Sequence, residues 1–248
     1  MNLIKKGKWM LLVFMVLFSV SEVTALEKDR SYYESKGQVI WDYPTDQPVI
    51  CLTFDDGPDP TYTLDIAQIL EKYGARGTFF VTGKQVELEP GLIHDLFEKK
   101  HEIANHSYSH REMNRLNEEQ IKEEVIKTGD LIYQEIGIKP TLFRPPGGVF
   151  NERVVNLTTE LGYMTVMWSW HQDTRDWDSN TYAGRIINQV ITNARNGDIV
   201  LFHDFGGSRN NTIQALESII PTLKKEGYSF ITVSELLEVR MNDLMNGR

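Results

Sequence analysis

From residue 49 to residue 233 the chain repeats one two-part unit: a short apolar run that reads as a strand, then a stretch with helical spacing that a glycine often closes. The apolar runs are 49–54, 78–81, 102–105, 141–144, 163–168, 198–202 and 229–233. Between them lie helix start and stop signals. Thr63 reads as a cap for a helix over 64–73 with Gly74 as its left-handed stop, and Pro90 as a first-turn residue for a helix toward Lys99. Asn117 with Gln120 makes a capping box for a helix through Glu135 that Gly137 and Pro140 close. Leu161-Gly162, Asn196-Gly197 and Glu226-Gly227 end three more. Strands that alternate with helices pair in parallel. About seven units predict one α/β domain, a (β/α) barrel-like fold read as a distorted seven-stranded parallel barrel, although an open doubly wound sheet would show a similar pattern.

The ends of the chain divide from this core. Lys5, Lys6 and Lys8 precede an apolar run over 9–18, and Val23-Thr24-Ala25 supplies small residues for cleavage, so 1–25 reads as a signal peptide. The apolar run falls short of the roughly 20 residues of a bilayer helix; uncleaved, it would be the chain's one membrane anchor. Residues 26–46 are polar without periodicity and read as a lead-in, 47–240 as the catalytic domain and 241–248 as a tail. The protein is therefore expected to be secreted or held at the outer face of the membrane or in the cell wall. A net charge of −9 argues against nucleic-acid partners, which require lysine and arginine against phosphates. The single cysteine, Cys51, lies inside an apolar run and reads as a buried strand thiol, so no internal disulfide staples the fold.

Parallel α/β sheets place ligands at the carboxyl ends of their strands, and the polar residues gather there. The first strand ends in Asp55-Asp56-Gly57-Pro58, the third runs into His106 through His110, the fourth ends in Arg144-Pro145-Pro146-Gly147-Gly148, Asp173 through Trp177 follow the fifth, and the sixth ends in Leu201-Phe202-His203-Asp204. Adjacent carboxylates such as Asp55 and Asp56 repel unless a cation or guanidinium offsets them, and Arg144 is a candidate. His106 and His110, four apart, would project from one face of a helical turn, a recurring metal-ligand spacing; with Asp56 they complete two histidines and a carboxylate suited to a first-row divalent ion. His94 and His101 read as solvated surface groups, and His171, near the expected cleft, receives no role.

These five stretches, in this order, resemble the motifs of the polysaccharide deacetylase family (NodB-homology domains, carbohydrate esterase family 4), over about residues 48–237. The resemblance implies a hydrolase that removes N-acetyl groups from N-acetylglucosamine units of an extracellular polysaccharide, peptidoglycan or a chitin-like polymer. Its cofactor would be one divalent metal, zinc first, with cobalt or another first-row ion as alternatives. By that resemblance Asp55 is the general base, and Asp56, His106 and His110 are the metal ligands. His203 is the general acid, Asp176 orients it, and Arg144 pairs with Asp55. Trp177 and Leu201 wall the acetyl pocket, and a backbone N–H of the turn around Gly147 faces the oxyanion. The family often has a tyrosine where this chain has Gly147, so the substrate is less secure than the reaction. An O-acetyl esterase on acetylated xylan is the rival within the enzyme class. A noncatalytic sugar-binding domain would be expected to have lost the base, a ligand or the acid, and all are present.

Overall fold

The computed structural model describes residues 28–247; the leader expected over 1–25 lies outside the described residues. The order of elements is α1 Arg30–Ser35, β1 Val39–Ile40, β2 Val49–Asp55, α2 Tyr62–Lys72, β3 Gly77–Val81, α3 Gly83–Leu88, α4 Pro90–Glu98, β4 Glu102–Asn105, α5 Glu118–Ile136, β5 Leu142–Phe143, α6 Glu152–Glu160, β6 Met164–Val166, α7 Ala183–Asn193, β7 Asp198–His203, α8 Asn210–Lys225, β8 Ser229–Phe230 and α9 Val233–Met245. All strand pairs are parallel, in the order β1-β6-β5-β4-β3-β2-β7, with β8 beside the start of β2. The sheet curls into a barrel whose last seam is joined by single contacts, among them an Asp173–Leu201 bridge and bonds from Tyr43 N–H to the Gly197 carbonyl and Ser169 N–H to the Ile199 carbonyl. The expected distorted parallel barrel is the fold found, with one strand more than the sequence reading.

That extra strand is β1, two residues of the lead-in segment paired with β6. Two residues are too few to display a period of two, and Tyr33, Val39 and Trp41 bury a separate apolar cluster against Val155 and Met167. At the other end, α9 runs through residue 245, its Thr232–Glu235 capping box intact. The long helix α5 carries the expected Asn117–Gln120 box and ends at Gly137 in the left-handed conformation (φ 71°). Helix α2, however, starts two residues before the expected position. Asp59 accepts the N–H groups of Thr61 and Tyr62 at 2.8 and 2.9 Å, while the Thr63 hydroxyl donates to Asp204 instead of capping.

Alternation along the strands separates two cores. Ile50, Leu52 and Phe54 of β2 pack outward with Phe79 and Phe202 under the helices, whereas Cys51 packs inward with Phe80, Ala104, Leu142, Val166 and Ile199. Val233 and Leu236 of α9 join that inner cluster, and the Cys51 thiol, raised well above its ordinary pKa by burial, faces the Thr232 carbonyl at 3.4 Å. The inward file of each strand is apolar at its amino end and meets chemistry two or four residues later. Cys51 leads to Thr53 and Asp55, Ala104 to His106, Leu142 to Arg144, Val166 to Trp168, and Ile199 to Leu201 and His203. A period of two thus delivers the site to one mouth of the barrel.

Candidate active site

At that mouth a cavity of about 400 Å³ is lined by Asp55, Asp56, His106, His110, Gly147, Trp177, Leu201 and His203, together with Gly148, Trp168, Asp173, Gly206 and Arg209. Every residue expected in the site borders it except Arg144 and Asp176, which stand directly behind.

Arg144 is completely buried, and each side-chain nitrogen has an acceptor. Nη1 donates to Asp55 Oδ1 at 2.7 Å and Thr53 Oγ1 at 2.9 Å, Nη2 to the Met167 carbonyl at 2.9 Å, and Nε to the Val166 carbonyl at 3.1 Å. The guanidinium carbon lies 4.1 Å from the centre of the Phe80 ring. A buried charge is tolerated when it is paired and hydrogen-bonded on this scale. The same residue's carbonyl accepts His106 Nδ1 at 2.8 Å. A carbonyl can only accept, so Nδ1 carries the hydrogen and Nε2 presents its lone pair to the cavity.

The histidine pair is not on a helix. Residues 106–110 form an irregular loop after β4, with Ser107 and His110 at positive φ (66° and 58°). Glu124 of α5 holds it, accepting the N–H groups of Tyr108 and Ser109 at 2.9 and 2.7 Å, and Asn105 accepts that of Ser107 at 2.9 Å. Side chains therefore take the bonds a helical turn would have used, and the rings converge at 5.2 Å by loop geometry. Asp56, also at positive φ (82°), brings Oδ1 to 3.1 Å from His110 Nε2 and 3.4 Å from His106 Nε2. Left-handed backbone costs a non-glycine residue of order 1 kcal/mol and collects at functional sites.

One ligand atom from each of Asp56, His106 and His110 lies within 4.8 Å of the others, and Asp56 Oδ1 is buried without a geometrically satisfactory hydrogen bond. An anionic oxygen so placed beside two imidazole lone pairs fits a divalent cation. Although burial opposes ionisation of Asp56, the adjacent imidazoles of His106 and His110 hold its carboxyl below the ordinary range.

Asp55 and His203 are register partners on β2 and β7, so base and acid candidates lie side by side. His203 Nδ1 is 2.7 Å from Asp176 Oδ1, and His203 N–H donates to Oδ2 at 2.9 Å. Burial pushes the imidazole down, but the Asp176 hydrogen bond and charge, followed by the charges of Asp55 and Asp56, outweigh it and raise His203 to about 9. In the turn after β5, the N–H groups of Gly148 and Val149 go to the Pro145 and Pro146 carbonyls, while Gly147 N–H makes no hydrogen bond among the described residues. Gly147 sits at φ 60°, whereas a Cβ on Gly148 would come within 2.6 Å of the Trp168 ring.

Two residues behind this frame were not singled out from the sequence. Arg209, buried in α8's approach, donates to the Asp176, Phe205 and Gly206 carbonyls at 2.7, 2.9 and 2.6 Å, tying the loop of Asp176 to the loop after His203. Asp204 accepts Gly57 N–H at 3.0 Å and the Thr63 hydroxyl at 2.5 Å; burial and then the Asp56 charge push it up to about 7. A Cβ on Gly57 would meet that carboxylate at 2.3 Å, which is why glycine follows the aspartate pair. The adjacency of Asp204 to His203 was a usable signal; nothing in one sequence marks Arg209. His171 does not face the site: its Nε2 pairs with Asp198 at 2.9 Å, at the amino end of β7. His101 is buried rather than solvated, because its ring packs edge-on against Phe79 and its Nδ1 accepts Gly77 N–H at 3.2 Å.

The sequence model of polysaccharide deacetylase matches residues 42–166, spanning the aspartate pair, His106, His110 and Arg144. The chain belongs to the polysaccharide deacetylase family. It is an enzyme of that family by close relationship as well. A peptidoglycan-N-acetylglucosamine deacetylase of Bacillus cereus is 44% identical over 211 residues, covering 85% of this chain and 98% of the relative. The crystal structure of a peptidoglycan N-acetylglucosamine deacetylase superposes with a TM-score of 0.79 at 33% identity, covering 82% of this chain and 94% of that one. A family 4 acetyl xylan esterase from Clostridium thermocellum, in complex with a cobalt ion, superposes at 0.72 with 34% identity, covering 77% and 91%.

Proposed function

We propose that this deacetylase hydrolyses the N-acetyl groups of N-acetylglucosamine in peptidoglycan, outside the cytoplasmic membrane. The observation that carries the reading is the gathering of Asp55, the Asp56–His106–His110 cluster and His203 around one cavity at the strand ends. Similarity to a peptidoglycan-N-acetylglucosamine deacetylase across nearly its whole length supports the substrate, and the N-terminal lysines followed by an apolar run support export.

Asp56, His106 and His110 would hold one divalent cation, zinc by donor chemistry. When bound, the cation supplies polarisation of the acetyl carbonyl and a lower pKa for attacking water. Asp55, held by Arg144, takes the proton from that water. Gly147 N–H is the free donor for the oxygen that gains charge as the acetyl carbon becomes tetrahedral. His203, protonated at neutral pH because of Asp176, gives its proton to the departing amine nitrogen, and the C–N bond breaks to acetate and a free amino sugar. Trp177 and Leu201 wall the acetyl methyl.

Similarity to an acetyl xylan esterase supports a second reading, hydrolysis of O-acetyl esters, in which an alkoxide leaves more easily than an amine. Acetate release from peptidoglycan fragments, chitooligosaccharide and acetylxylan, with and without chelator and added zinc or cobalt, separates them. Chelator-sensitive release from the two amide substrates is expected. Release from acetylxylan alone would establish the esterase, and release untouched by chelation would remove the metal from the mechanism.

A further inference from the structure

The catalytic cavity shares two wall residues, Trp168 and Asp173, with a neighbouring one. This second cavity, of about 450 Å³, is completed chiefly by Trp170, Arg175, Arg185 and Gln189. None of the last four belongs to the residues carrying the chemistry, and three features of this cavity need an occupant.

The first is Trp170, 78% exposed although an indole ordinarily contributes to cores and interfaces. An open aromatic face beside a glycan cleft is a platform for a sugar ring. The second is charge. Arg175 and Arg185 are exposed, and their guanidinium groups make no hydrogen bond or ion pair among the described residues, in a chain of net charge −9. Two guanidiniums there face one carboxylate, Asp173, whose Oδ1 is already engaged by Arg175's own N–H at 3.1 Å. Arg185 sits in the first turn of α7, where the positive end of the helix dipole disfavours a cation and deepens the local positive potential. The third is conformation: Arg175 is held at φ 52°, a backbone state that glycine occupies freely and arginine does not.

We propose that this second cavity is a subsite for the sugar next to the one being deacetylated, with Arg175 and Arg185 taking a carboxylate on that sugar and Trp170 stacking on its face. The inference rests on the peptidoglycan reading above and deepens it. In that polymer each N-acetylglucosamine neighbours a sugar bearing a lactyl acid, which presents a carboxylate wherever no peptide is attached to it; the chitin chain offers no such group. Guanidinium forks match carboxylates bidentately, which gives selection for an acidic neighbour.

The test compares two substrates on the full, metal-loaded enzyme: a tetrasaccharide alternating N-acetylglucosamine with its lactyl-bearing neighbour, carboxylates free, and chitotetraose. Wild type should favour the acidic tetrasaccharide. Arg185→Gln should raise its KM about tenfold, or about 1.4 kcal/mol, with chitotetraose changed less than twofold. Arg175→Gln should act likewise, Arg175→Lys should fall between it and wild type because it keeps the charge but loses the fork, and Trp170→Ala should raise KM for both substrates because stacking ignores charge. Should Arg185→Gln fold poorly by circular dichroism, the Arg175 pair carries the same comparison. Acetate released from chitotetraose without any preference for the acidic substrate, or arginine variants that alter both substrates equally or neither, would overturn the subsite and leave the deacetylase reading standing. Release from neither substrate by wild type would remove both.

Discussion

One half-buried and one buried histidine sit at opposite ends of the same curled sheet. His203, at the carboxyl end of β7, has Asp176 against Nδ1 and Asp55 and Asp56 nearby, and stands at about 9. His101, just before β4 at the amino end, has a backbone N–H on Nδ1, nothing on Nε2, and Lys99 and Arg76 as its nearest cations; burial first and those charges second take it down to about 4. Burial disfavours the charged form in both, so burial does not distinguish them. The partner does: a carboxylate behind the ring makes an acid that is charged at neutral pH, and its absence makes a neutral filler. The carboxyl-end mouth has thus given its histidine a carboxylate partner, whereas at the amino end His101 has none against its ring nitrogens.

The contrast can be broken at several strengths. The largest effect should come from Asp55→Asn, which removes the proton acceptor at the active mouth: turnover is expected to fall about 1,000-fold with metal content unchanged, measured by acetate release and elemental analysis. Retained turnover would transfer the role of base to another group. Arg144→Ala should destabilise the fold by about 3–5 kcal/mol in urea unfolding, because Asp55 is left as a buried, uncompensated charge. The counterpart at the amino end is Glu102→Gln, a half-buried carboxylate bonded to Thr78 and Ser234, which should cost less than about 1 kcal/mol.

Asp176→Asn should lower kcat about 100-fold and move the alkaline limb of the pH profile down, since His203 gives up its proton as pH rises through about 9 only while Asp176 is charged. A limb that stays in place would show that some other group titrates there. The two histidines should also tilt stability in opposite senses in chelated protein. Starting from an ordinary value of 6.5, His203 is raised, so its contribution is complete below 6.5 and lost as pH climbs through about 9. His101 is lowered from the same 6.5, so its contribution holds above 6.5 and is lost as pH falls through about 4. Unfolding free energies from urea titrations across pH should decline on both sides, by up to roughly 3 kcal/mol. The smallest effect is His101→Phe, expected within about 1 kcal/mol of wild type in stability and equal to it in kcat, with the acid-side decline flattened.

Much of this asymmetry was legible in the residues. Strands announced by largely apolar runs, such as 49–54 and 78–81, fall within a residue of the observed β2 and β3, because parallel strands buried on both faces leave no polar alternation to misread. Strand ends then located the aspartate pair, the histidines, Arg144 and His203. What escaped was long-range. Thr63 left its capping role for Asp204, 141 residues away, and the loop of His106 and His110 borrows Glu124 from α5. His101 follows two lysines and reads as surface, yet the turn after α4 folds it under β3. A spacing rule sees neighbours along the chain, whereas these residues answer to neighbours across it.

Arg144 touches the proton acceptor through its guanidinium and a candidate cation ligand through its own carbonyl, at 2.7 and 2.8 Å. One buried residue therefore couples the two centres through hydrogen bonds, so a displacement of Arg144 would reach Asp55 and His106 together. Thermal breathing of the surrounding loops would move base and ligand as a pair, and a catalyst built this way can tolerate drift in its periphery while its working distance stays constant.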